Sequence, residues 1–291
     1  MSNSRPHNGY VLEASKLLKT PIISLSKVSF DKTTFGLQIA QHDFTESGLN
    51  LNELPQTIPN RDPTRYPLVL MLDEILDPGN LGAILRSAYF LGCSALLVTE
   101  RNCAPLSPVC LKSSAGASEY LPILTHITPP RLITSSKGAG WKFFAAAPRP
   151  AKHATNKYID TNHKVVQEAL DKGPVVLLMG GEGEGLRDSI KKLCDKCISV
   201  TAAKDVDRGV DSLNVSVAAG VLMQALLGDK KAATAGAKED AKAESGIAAA
   251  EEGLEVAEDA AVDESVEIEG EEAVGSAETA ETVESESAKS T

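Results

Sequence analysis

LVLMLDEILDPGNLGAILRSAYFLGCSALLVT, residues 68–99, reads as strand, helix, strand. Residues 68–72 are apolar without alternation, as in a parallel strand buried on both faces. Pro78 and Asn80 open the next stretch and Gly92 closes it, which is the punctuation of a helix over 78–92. Residues 94–99 are a second apolar run. Two such strands joined by one helix begin an alternation that implies parallel pairing.

The same alternation continues toward the C-terminus. A short helix is predicted within 106–117, an extended piece at 120–124, a helix over 129–140 and a strand at 141–147. PVVLLMG (174–180) is the clearest strand. It is followed by a helix over 185–196, a short extended piece at 197–200 and an apolar helix over 211–226. The expected class is α/β, a parallel sheet with helices on both faces.

Outside this frame the composition changes. Residues 1–66 are polar and broken by Pro6, Pro21, Pro55, Pro59 and Pro63. They offer short extended pieces at 9–13 and 35–40, too little for an independent core. Residues 229–291 carry 19 acidic and 5 basic side chains, a net of −14; against −11 for the whole chain this leaves +3 for residues 1–228. The tail is Ala, Glu, Ser and Gly without an aromatic residue. It is expected to stay disordered, because it cannot bury enough surface to offset ordering entropy. The mildly basic body suits nucleic acid.

Five cysteines, Cys93, Cys103, Cys110, Cys194 and Cys197, follow no framework spacing and are read as reduced thiols of an intracellular protein. Cys194 and Cys197 form a lone C-x-x-C with no second pair and no nearby His, so no metal site is expected. The five histidines are dispersed. No apolar run approaches the roughly 20 residues of a membrane span, and the first residues show neither a signal peptide nor an Arg-rich presequence.

Three polar spots interrupt the apolar frame. Asn80 and Arg86 share the first helix, with Arg86 pointing away from the Leu81–Ile84–Ala88 stripe. A solvated arginine is the plain reading, but a charge between apolar neighbours calls for a partner or ligand. MGGEGEGLR (179–187) joins a strand to a helix; it is either a structural tight turn or a loop whose backbone approaches a ligand. It lacks the Lys-Ser/Thr of a phosphate loop, and it comes too late in the chain for a first-strand dinucleotide turn. Ser212 and Asn214 open the last helix. Asp211 or Ser212 serves as its N-cap, which leaves Asn214 as a carboxamide in a buried first turn that must hydrogen-bond something.

Taken in order, NLGAILRSA, LLMGGEGEGLR and SLNVSVAAG resemble the three motifs of the SpoU (TrmH-like) branch of the SPOUT methyltransferases. SSAGASEYLPI (113–123) is similar to the family's middle segment. RPHNGYVLEAS (5–15) resembles the lead-in to the catalytic domain in its fungal mitochondrial members, which methylate ribose 2′-hydroxyls of ribosomal RNA.

The resemblance implies a catalytic domain over residues 67–228 whose C-terminal part is tied in a deep trefoil knot, preceded by 1–66 as the remnant of a substrate-binding domain and linker. It implies a homodimer, S-adenosylmethionine as cofactor, no metal, RNA as partner and a mitochondrial location. Gly180, Val200 and Leu213 would contact the cofactor, largely through backbone. Arg86 would act on the ribose 2′-oxygen, as base or oxyanion stabiliser, with Asn80, Glu182, Ser212 and Asn214 orienting it and the ribose. Lys204 and Arg208 lie in a charged loop that either touches RNA or is merely solvated. Two other readings stand beside this one, a catalytically idle SPOUT-like RNA-binding protein and a nicotinamide-dependent Rossmann enzyme.

Overall fold

The structure is a computed structural model describing residues 9, 17, 19–40, 54–126, 128–150, 157–181, 183, 185–202 and 212–228. The chain divides into two units, Met1–Asp229 and Lys230–Thr291; all described residues lie in the first. The predicted extended piece at 9–13 and the acidic tail fall outside them, apart from Gly9.

The strands are β1 (Thr20–Val28), β2 (Thr34–Ile39), β3 (Thr57–Pro59), β4 (Leu68–Leu72), β5 (Ala95–Thr99), β6 (Ile123–His126), β7 (Lys142–Ala146), β8 (Tyr158–Asp160), β9 (Val175–Met179) and β10 (Lys196–Ser199). The helices are α1 (Pro78–Leu91), α2 (Pro108–Ser114), α3 (Ala117–Tyr120), α4 (Pro129–Gly138), α5 (Lys164–Gln167), α6 (Ala169–Lys172), α7 (Asp188–Leu193) and α8 (Val215–Leu227). All strands join one sheet in the order β3-β2-β1-β6-β5-β4-β9-β7-β10-β8. From β1 to β8 every neighbouring pair is parallel.

The parallel sheet expected over residues 67–228 is present, and strands from residues 1–66 extend it into a mixed one. β1, β2 and β3 pair antiparallel, so the sheet is mixed. Residues 20–39 form a hairpin whose first strand docks beside β6 through Thr20 and Pro21. A proline is tolerated there because it sits at the start of its strand.

The central strands β4, β5 and β9 are buried at every residue. Their side chains alternate between two cores. Leu68, Leu70, Leu72, Leu96, Val98 and Leu177 face α1 and α8 on one side. Val69, Met71, Leu97, Val176 and Leu178 face Leu132 and Ile133 of α4 and Ile190 of α7 on the other. β9 lies between β4 and β7, with Leu70 opposite Leu177 and Phe143 opposite Val176. The order of strands therefore reverses beside β4, and the carboxyl ends of β4 and β9 open onto the crevice where such sheets hold ligands.

Candidate active site

Asp77 caps α1, its carboxylate accepting from the Asn80 N–H at 2.6 Å. Pro78 fills the first helical position, which needs no donor. The Ser113 hydroxyl donates to the Gly79 carbonyl at 3.2 Å and ties this helix start to α2. The two helices approach so closely at Gly82 that a Cβ there would overlap the Ser113 hydroxyl and the Cys110 carbonyl.

Asn214 is the N-cap of α8. Its Oδ1 accepts from the Ser216 N–H at 2.8 Å and the Ser216 hydroxyl at 2.6 Å. Its Nδ2 donates to Asn80 Oδ1 at 3.1 Å across 134 residues of sequence. The helix thus begins at Val215, not near 211, and the cap is neither Asp211 nor Ser212. Asn214 is exposed in the chain, so the expectation of a buried first turn is corrected: a capping residue precedes the helical core and stays at the helix mouth. The apolar helix also has an open side, with Leu213 48%, Val217 51% and Val221 39% exposed.

The turn after β9 is built on glycine. Gly181 and Gly185 form an isolated antiparallel bridge, and Gly183 and Gly185 take φ of 93° and 64°, where a Cβ is strained. A Cβ on Gly180 would overlap the backbone of Gly185 and Leu186, and one on Gly181 would overlap the Glu74 carbonyl. The turn after β9 therefore presses on the loop after β4. Asp73 Oδ2 and Arg187 Nη2 join the same two segments at 3.2 Å.

The structure thus brings the first motif against the third through Asn80–Asn214, and the loop after β4 against the second through Glu74–Gly181. Arg86 is not part of the Asn80–Asn214 contact. Six residues along α1 place it about 120° around the helix from Asn80, exposed and without a hydrogen-bond or ion-pair partner among the described residues. It shares its strip with Phe90, 85% exposed. Ser212 is exposed two residues before the cap. Glu182, Lys204 and Arg208 lie outside the described residues. Gly180 at the end of β9 and Val200 just past β10 are half-buried, and Leu213 adjoins Asn214.

Asp77 and Ser113 were not singled out from sequence, although an Asp before Pro-Gly is a legible capping signal. The cysteines are free. Burial pushes the Cys194 thiol up to about 12 and raises Cys197 as well, which keeps both protonated at neutral pH. Among the described residues no three His, Cys, Asp or Glu gather as a metal site, and no helix is long and apolar enough to cross a membrane.

A mostly parallel α/β sheet, with polar loops meeting at the carboxyl ends of its central strands and a capped C-terminal helix packed on the first, defines a class of ligand-binding α/β domains. Within that class, the chain belongs to the SpoU rRNA Methylase family, whose model matches residues 67–224. It is 35% identical over 241 residues to the mitochondrial rRNA methyltransferase 1 of Saccharomyces cerevisiae, covering 78% of this chain and 56% of that one. It is 38% identical over 226 residues to the protein of the same name in Schizosaccharomyces pombe, covering 77% and 69%. It is also 31% identical to the 23S rRNA (guanosine-2′-O-)-methyltransferase RlmB of Vibrio parahaemolyticus, covering 60% and 63%. The chain thus spans little more than half the length of the budding-yeast relative.

Proposed function

We propose that this protein methylates a ribose 2′-hydroxyl of RNA, a guanosine of mitochondrial large-subunit ribosomal RNA, using S-adenosylmethionine. The observation that carries the reading is the Asn80–Asn214 hydrogen bond, which joins the family's first and third motifs at two helix N-termini. The family match and the mitochondrial and guanosine-2′-O- names of the relatives support the substrate and the location.

Gly180, Val200 and Leu213 are the residues that would hold the cofactor, and their partial exposure supports this reading. Gly180 and Val200 follow β9 and β10, two strands flanking β7 at the carboxyl side of the sheet, Leu213 leads into α8, and none of the three residues is fully buried. When bound there, the cofactor supplies a methyl group already activated on a sulfonium, and no metal is needed. The C-terminal trefoil knot is part of this proposal, as is 67–228 as the catalytic domain with 1–66 before it.

Arg86 serves the 2′-oxygen. A guanidinium, with a pKa above about 12, is a difficult base; stabilising the developing alkoxide is the easier role. Asn80, Glu182, Ser212 and Asn214 orient the ribose and its phosphate. Arg86 and the Asn80–Asn214 pair meet across the twofold axis of a homodimer. The exposed strips of α1 (Arg86, Phe90) and α8 (Leu213, Val217, Val221) form that interface.

Methyl transfer from labelled S-adenosylmethionine to ribosomal RNA tests the reading. Arg86→Ala is expected to lower the rate by roughly 10²–10³-fold with the unfolding midpoint unchanged. Equal incorporation by variant and wild type would remove Arg86 from the chemistry. Absence of incorporation by the wild type, with RNA binding retained, would favour the idle RNA-binding reading.

A further inference from the structure

Two cation–aromatic pairs lie on a surface that the three motifs do not account for. Lys32, in the turn between β1 and β2, holds its ammonium 4.7 Å from the centre of the Tyr66 ring. The Arg61 guanidinium lies 4.0 Å from the centre of the Tyr89 ring and donates to the Tyr89 carbonyl at 2.8 Å. Tyr120 of α3 flanks Tyr89, with ring centres 5.6 Å apart and planes inclined by 31°. Three of the chain's five tyrosines thus gather beside two cations.

One buried carboxamide fixes the two pairs side by side. Asn60, 8% exposed, donates from Nδ2 to the carbonyls of Lys32 and Arg65, each at 2.9 Å. Its Oδ1 accepts from the Ser94 hydroxyl at 3.1 Å. Arg61 follows Asn60 in the chain and Tyr66 follows Arg65, so each bond anchors backbone at or next to a member of a pair.

Arg61 also closes the carboxyl end of α1, which accounts for its bond to the Tyr89 carbonyl. That role leaves the open aromatics unexplained. Tyr120 is 72% exposed, and Phe30, two residues before Lys32 in the same turn, is fully exposed. Lone surface aromatics are ordinary. Open rings beside cations are what unpaired bases stack on while their phosphates are neutralised. Neither Lys32 nor Arg61 has a carboxylate partner among the described residues. The nearby carboxylates are engaged locally, Asp31 by Ser29 and Thr33 and Asp62 by Arg65, while Glu119 stays exposed beside Tyr120.

Position favours the substrate's own strand as the occupant. Tyr89 follows Arg86 by three residues on α1, about 4.5 Å along the axis, so the surface continues from the residue assigned to the ribose oxygen. We propose that Phe30, Lys32, Arg61 and Tyr120 hold a single-stranded segment of RNA beside the methylated nucleotide. Bases stack on Phe30 and Tyr120, and phosphates meet Lys32 and Arg61. That this strand belongs to the substrate rests on the ribose-methylation reading; the affinity of the surface for single-stranded RNA does not.

The test is a titration of the full chain with a short labelled single-stranded oligoribonucleotide and with a duplex of the same length, alongside methyl transfer to ribosomal RNA. The single strand should bind more tightly, because paired bases offer no free face. Phe30→Ala and Tyr120→Ala should each weaken its binding about tenfold, and Tyr120→Phe should bind as wild type does. Lys32→Gln combined with Arg61→Gln should lower the slope of log affinity against log salt by about 1.4. Affinity for S-adenosylhomocysteine and particle mass should not change in the alanine variants. A photoreactive phenylalanine at position 120 should cross-link to the oligomer. Wild-type binding by both alanine variants, equal affinity for the duplex, a changed particle mass, or cross-linking to the acidic tail or a second copy of the chain would overturn the proposal. Binding that follows these variants in a chain whose wild type transfers no methyl group would leave the surface standing and sink the methylation reading.

Discussion

Asn214 does two jobs with one carboxamide. Its oxygen caps α8 and its nitrogen holds Asn80. The roles separate by length. Asn214→Ser keeps a capping oxygen but cannot span to Asn80; Asn214→Ala loses both. Thermal unfolding should show a cost of about 1 kcal/mol for alanine and little for serine. Methyl-transfer rates should fall in both. A serine variant with full activity would make the cap the whole story.

His126 gives the fold a pH dependence. Burial pushes its imidazole down to about 4 from 6.5. The unfolded chain therefore takes up the proton first, and stability is full above about 6.5 and drains as pH falls toward 4. The loss from this group is roughly 3 kcal/mol. Urea unfolding followed between pH 7 and 4 should show it, and His126→Gln should flatten that slope. A parallel pH profile in the variant would place the acid sensitivity elsewhere.

Among the elements, those built from long one-sided rules were legible. β4, β5 and β9 are continuous apolar runs, and α1 lies between Pro and Gly, so each falls within a residue or two of its expected position. Elements that depend on their neighbours were not. β1 begins beside Pro21, and its strand character comes from pairing with β2 and β6. β8, α5 and α6 are three or four residues long, too short for a period to show. The piece expected at 120–124 is displaced because the last residues of SSAGASEY make α3, and the strand begins at Ile123.

The candidate site was legible as motifs but not as geometry. The cap on α8 was misplaced because Asp211, Ser212 and Asn214 are all good N-caps. The grouping of Arg61, Tyr89 and Tyr120 was invisible because the three come from separate segments, each an ordinary residue in its own. The contact of α1 with α2 belongs to this scale too. Gly82→Ala should cost about 1–3 kcal/mol through forced separation of the helices, read as a lowered unfolding midpoint. A neutral substitution would show that α2 yields freely.

At the scale of the whole molecule, a single chain keeps Arg86 apart from the Asn80–Asn214 pair. If the proposed twofold brings them together, two defective subunits can rescue each other. Mixing Arg86→Ala with Asn214→Ala chains should restore measurable methyl transfer, because one site of each mixed dimer is then intact. Two sites each carrying one lesion, the outcome for catalysis within one chain, would give none. Light scattering on Val217→Asp/Val221→Asp should find a smaller particle, since both residues are exposed on α8.

The placement of β9 has a consequence for synthesis. This strand emerges late yet fills the gap between β4 and β7, which are made long before it. Until Met179 has left the ribosome, those two strands present bare, flat, greasy margins to the cell, the kind of surface on which unfinished chains stick to one another. A message cut short before codon 175 should therefore yield insoluble fragments rather than a smaller folded protein. Chaperone holding of the nascent chain should matter most in the interval between the completion of β7 and the arrival of β9.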